Sequence, residues 1–84
     1  MYVDNSATKQ IEEAIKLNKN PKEGDLVVSD PCLMETCAWY VGQICAEYSE
    51  EFGWMHQPFA RLTEYGTKEE AESWLKGMKE YYEE

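Results

Sequence analysis

The sequence predicts an α+β domain in the order α-β-β-β-α, a three-stranded antiparallel sheet with helices packed on one face. Apolar residues recur at helical spacing near both ends of the chain, while the middle is a run of β-branched and aromatic residues that is apolar on both alternations. Glycine, proline and aspartate punctuate the boundaries between these segments. With 84 residues there is room for one domain, 1–84. A chain this short hides only about 60–65% of its unfolded surface, and a second core, a barrel enzyme or a dinucleotide fold is excluded.

From Asp4 to Asn20, Ala7, Ile11, Ala14 and Ile15 repeat on one helix face, and Asn5 or Ser6 is placed to cap the start. Asn20-Pro21 ends this helix, with Lys16 and Lys19 in the last turn, where cations complement the carbonyl end of the dipole. Pro21 to Asp25 is a turn by composition and leads into the strand Leu26-Val27-Val28, which Asp30-Pro31 stops because proline lacks the ladder donor. Cys37 to Tyr48 reads as the central strand, with Trp39, Val41 and Cys45 on one face and Tyr40, Ile44, Ala46 and Tyr48 on the other. Gly42 within it marks a bulge or a close approach of backbone. Ser49 to Gly53 makes a hairpin loop, and Trp54 to Thr63 returns as a strand that Pro58 assigns to an edge or a bulge. Thr67-x-x-Glu70 is a capping box, followed by the buried stripe Ala71, Trp74, Leu75 and Met78. The final Tyr81-Tyr82-Glu83-Glu84 frays, since two carboxylates at the end of that helix oppose the dipole. A small curved, barrel-like sheet satisfies the same strands.

Three cysteines, Cys32, Cys37 and Cys45, leave one unpaired in any disulfide scheme and favour reduced thiols in the cytoplasm. Together with His56 they could form a Cys3His zinc set, but intervals of four, seven and ten intervening residues lack the tight pairs of structural zinc sites. In a hairpin centred between Glu50 and Glu51, Cys45 and His56 would lie opposite one another, the one register that brings them together. Core packing is the simpler use of these residues, and no cofactor or metal is expected. No nucleophile arrangement, glycine-rich phosphate loop or marked acidic pair is present, which points away from an enzyme.

Charge is the strongest functional signal. Seventeen acidic and 8 basic side chains leave a net −9, which repels phosphate and excludes direct binding to nucleic acid or to an anionic membrane surface. No apolar run approaches the roughly 20 residues of a membrane span, and no basic segment followed by an apolar one opens the chain. Residues 23–60 hold seven carboxylates and no lysine or arginine. Same-face neighbours on a strand lie about 6.6–6.8 Å apart, comparable to successive phosphates, so strand carboxylates can present a phosphate-like array.

Val27 to Cys32, Trp39-Tyr40-Val41-Gly42 and Thr67 to Leu75 resemble segments of small proteins encoded by bacteriophages and mobile elements. In size and acidity the chain is also similar to anti-CRISPR and other anti-defence inhibitors. That resemblance implies occupation of the nucleic-acid site of a host nuclease such as a CRISPR effector. The expected function is thus a non-enzymatic, stoichiometric inhibitor in the host cytoplasm that blocks a protein with a basic nucleic-acid-binding groove. Glu47, Glu50, Glu51 and Glu64 supply its charge, Asp30 and Glu35 add to it from the preceding loop, and Phe52 and Trp54 are its apolar anchors. The rival expectation is a structural or regulatory module that forms a homodimer or joins an assembly through an aromatic sheet face, drawing on Trp39, Tyr40, Tyr48, Phe52, Trp54 and Phe59.

Overall fold

The computed structural model describes residues 2–82, which form β1 (Tyr2–Val3), α1 (Asn5–Leu17), β2 (Leu26–Val28), β3 (Cys32–Glu35), β4 (Trp39–Ser49), β5 (Gly53–Arg61) and α2 (Lys68–Tyr82). Tyr81 and Tyr82, expected to fray, are the last residues of α2, while Glu83 and Glu84 lie outside the described residues. The class is α+β and the sheet is antiparallel, but it has five strands where three were expected. The two additions are β1 and β3, which pair with each other, β3 pairing in turn with β4. No helix among the described residues is long and apolar enough to cross a membrane.

The organising element is β4. β5 runs along one of its edges, and β3 and β2 share the other edge end to end, β3 opposite Trp39 to Gly42 and β2 opposite Cys45 to Glu47. The gap between these tandem strands is closed by Ser29, only 2% exposed. Its N–H donates to the Ile44 carbonyl at 2.9 Å, and its hydroxyl oxygen accepts the Ile44 N–H at 3.1 Å. Its own carbonyl accepts from Gln43 Nε2 at 2.9 Å. A side-chain oxygen thus stands in for a missing strand partner, so no backbone group of Ile44 is stranded in the interior.

The N-cap of α1 is Asp4, one residue before the expected Asn5 or Ser6. Its carboxylate accepts the Ser6 N–H at 2.9 Å and the Ser6 hydroxyl at 2.9 Å. The helix ends at Leu17, ahead of the expected Asn20, with the Asn18 N–H donating to the Ile15 carbonyl. Its buried residues Ala7 and Ile11 join Cys32, Met34, Tyr40, Ile44 and Ala46 in the main core cluster. Even-numbered β4 residues therefore face α1.

The second helix covers the other face, which corrects the expected arrangement of both helices on one side. Gly66 pairs with Trp39, so a Cβ at Gly66 would share the Trp39 face, and there it would come within 2.9 Å of the Trp74 ring. The Lys68 ammonium lies 5.4 Å from the Trp39 ring centroid on that same face. Leu33, Val41, Cys45 and Ala71 are buried but stand outside the α1 cluster. The physical reason lies in β4: a strand apolar on both alternations needs cover on both sides. The capping box that opens α2 is present, with the Thr67 N–H donating to Glu70 Oε1 at 3.0 Å and the Glu70 N–H to Thr67 Oγ1 at 3.1 Å.

Gly42 is a point of close approach, since a Cβ there would fall 2.7 Å from the Ala60 carbonyl oxygen and 2.9 Å from Met34 Sδ. The register irregularity comes at the next step, between Gln43 and Ile44, which pair with Ala60 and Pro58 and leave Phe59 as the extra residue on β5.

Candidate partner-binding surface

The hairpin between β4 and β5 closes on the Ser49–Gly53 pair with Glu50, Glu51 and Phe52 as its loop. Ser49 Oγ accepts the N–H of Glu51 at 3.2 Å and of Phe52 at 3.4 Å, and Gly53 takes φ +77, a backbone state that suits glycine. The loop is therefore tied to its own strand end. Phe52 is left 70% exposed.

A second turn is laced to this hairpin. Gly24 N–H donates to the Tyr48 carbonyl at 2.9 Å, Tyr48 N–H to the Asp25 carbonyl at 2.8 Å, and Glu50 N–H to Glu23 Oε2 at 2.8 Å. The Asp25 carboxylate accepts the Lys22 N–H at 3.0 Å and Asn18 Nδ2 at 3.0 Å, and these bonds, the backbone one foremost, hold its pKa below the usual aspartate value. Glu23 and Asp25 thereby join Glu47, Glu50 and Glu51 at one end of the molecule. They are the residues the sequence-based site left out. The available signal was the glycine turn at Gly24, which feeds a strand just long enough to pair with the end of β4.

The other expected site residues are placed elsewhere. Trp54 is half-buried against the α1 core with its ring 5.4 Å from Tyr48, so it is a packing residue on the α1 side and not an open anchor. Asp30 sits in the turn between β2 and β3, where its N–H donates to Gln10 Oε1 at 2.8 Å. Glu35 pairs with Trp39 and Tyr2, and Glu64 precedes the Trp39–Gly66 bridge. Glu35 and Glu64 are thus separated from Glu50 and Glu51 by the length of β4, about 33 Å at strand rise. The eight residues do not make one surface; Glu47, Glu50, Glu51 and Phe52 do.

Cys45 and His56 do not meet. The hairpin is centred on Glu51, so Cys45 pairs with Gln57 and Ala46 with His56. That slip of one residue sends the two side chains to opposite faces. Cys32 lies in the α1 core, Cys45 is buried on the other face, and Cys37 is exposed in the turn between β3 and β4. Among the described residues no group of three His, Cys, Asp or Glu side chains could hold a metal ion. Burial, with a smaller push from the Asp4 charge, raises the Cys32 thiol to about 11, which keeps it protonated and inert at neutral pH.

Most of the aromatic surplus is consumed in ring pairs. Tyr2 and Trp39 lie 5.3 Å apart, Tyr40 and Tyr65 5.4 Å, with Arg61 4.7 Å from the Tyr65 centroid. Comparison with protein-family models, with curated proteins and with solved structures finds no match to this chain. Its own geometry is what bears on function.

Proposed function

We propose that the protein is a non-enzymatic inhibitor that sets its acidic hairpin end into the basic nucleic-acid-binding groove of a protein partner, the mode of action implied by its resemblance in size and acidity to anti-defence inhibitors. The observation that carries this reading is the gathering of Glu23, Asp25, Glu47, Glu50 and Glu51 beside the exposed Phe52, in a stretch with no lysine or arginine from 23 to 60. Any one exposed carboxylate contributes little, about 0–1 kcal/mol in an ion pair. Several carboxylates on adjoining turns and strands act as one field, which raises the rate of encounter with a cationic groove and makes affinity fall with salt. Phe52 supplies the apolar contact that such a field lacks.

Capture of a partner from host lysate, with tagged protein at low salt followed by a high-salt wash, tests the proposal. The protein should release a nucleic-acid-binding protein on the wash, the double variant Glu50→Lys/Glu51→Lys should capture none of it, and Glu64→Lys, at the far end of β4, should capture it normally. All three positions are exposed, so the thermal transition should stay where it is. Undiminished capture by the double variant, or a partner that only resists salt, argues against the proposal. The assembly reading keeps one specific support, the exposed Met55 and Phe59 on β5. A salt-resistant dimer in light scattering would favour it.

A further inference from the structure

The face that α2 covers is covered over only part of its area. α2 packs against β3 and β4, starting beside Trp39, and α1 lies on the opposite side. Where β2, β4 and β5 run together toward the hairpin, the pairing register lines up two rows across the α2 face, Leu26–Glu47–Met55 and Val28–Cys45–Gln57. Leu26 is 47% exposed, Met55 40% and Val28 37%, while Cys45, between Val28 and Gln57, is buried. Partly open apolar side chains, Leu26 and Val28 on β2 and Met55 on β5, thus make a strip that flanks Glu47 and the buried Cys45 of β4, beside the carboxylates of Glu50 and Glu51 at the hairpin.

We propose that this strip docks a cationic amphipathic helix of a partner protein, which would complete the helical layer that α2 begins. The inference rests on reading the hairpin end as a surface for a cationic protein, and it names the element that the partner presents. Two interstrand spacings make the strip about 10 Å wide, the diameter of one helix. An apolar helical stripe meets Leu26, Val28 and Met55, while lysine or arginine on its flanks meets Glu47, Glu50 and Glu51. A second copy of this chain fits poorly, because each carries a net −9 and the rim of the strip is acidic on both. Nucleic acid is disfavoured by the same carboxylates.

Two synthetic peptides of identical lysine and leucine composition decide the matter. Each has about 16 residues, some four turns; one places its leucines on a single helical face and the other scatters them. The amphipathic peptide should bind at least about tenfold more tightly than the scattered one. It should also gain helical circular dichroism on binding. The variant Leu26→Gln/Met55→Gln, altered only at exposed positions and checked by an unchanged urea midpoint, should lose about tenfold in affinity for the amphipathic peptide alone. Equal binding of both peptides, abolished by Glu50→Lys/Glu51→Lys, overturns helix docking and leaves the acidic-hairpin reading in place. Binding of the amphipathic peptide that ignores Glu50→Lys/Glu51→Lys but falls with Leu26→Gln/Met55→Gln keeps the strip and overturns the electrostatic reading. Failure of both peptides to bind overturns the strip.

Discussion

Ser29 supports more of the sheet than its size suggests, because its hydroxyl accepts the Ile44 N–H at the break between β2 and β3. Ser29→Ala should leave that buried donor unsatisfied and cost about 1–3 kcal/mol, read as a lower urea midpoint at unchanged slope. Nothing in the sequence distinguishes this serine from an ordinary turn residue ahead of Asp30-Pro31, since its role depends on which strand edge it meets. Asp4 is a second case. Its folded carboxyl is held below the ordinary aspartate value of 3.8 by the Ser6 backbone bond first and the Ser6 hydroxyl second. A depressed folded pKa gives stability that is present in full above the unfolded value and is lost as pH falls through the folded one. Asp4→Ala should therefore cost about 0.5–2 kcal/mol at neutral pH. That difference from wild type should shrink steadily in unfolding curves taken from pH 4 downward.

At the level of elements, what is locally encoded was legible. The capping box at Thr67 and Glu70 and the core face of α1 follow from side-chain spacing alone, and the structure contains them; of the expected buried stripe on α2, Ala71 is buried and Trp74, Leu75 and Met78 are half-buried. β3 was not legible. Cys32-Leu33-Met34-Glu35 has no strand-favouring composition and no alternation, because three of its four residues are buried, and it is extended only because β4 supplies a partner on one side and β1 on the other. The hairpin loop from Ser49 to Gly53 was legible from its composition; the register that would have joined Cys45 to His56 is displaced by one residue, because Ser49 tying the loop amides and Gly53 at positive φ centre the loop on Glu51. Pro58 was legible as an edge residue, and the pairing shows what it does. Its partner Ile44 turns its backbone toward Ser29, so the Pro58 nitrogen faces the free edge of β5, where a strand from another molecule would seek a donor. Pro58→Thr should restore that donor and make the light-scattering mass climb with concentration more steeply than in wild type. An identical concentration dependence would show that the Phe59 bulge alone protects the edge.

At the level of the whole molecule, the charge count located the acidic stretch but not its division in space. Glu35 and Glu64 belong to the pole near Trp39, whereas Glu47, Glu50 and Glu51 belong to the hairpin pole with Glu23 and Asp25. Chain order separates Glu23 from Glu50, and only the pairing of β2 with the end of β4 unites them. The placement of the helices was equally non-local. A face-by-face reading of β4 required cover on both sides, yet which helix crosses to which side depends on the connections.

The shared edges of β4 have a consequence for how the molecule breathes. The amides of Trp39 and Val41 donate to Gly66 O and Thr63 Oγ1 on the β5 side, whereas those of Ile44 and Tyr48 donate to Ser29 Oγ and Asp25 O on the β2 side. Deuterium uptake along this one strand is thus a two-channel recorder of local opening. Detachment of the segment after β5 lets deuterium in at Trp39 and Val41, and detachment of β2 with its acidic turn lets it in at Ile44 and Tyr48, so the alternation of exchange rates along β4 names the side that lets go first.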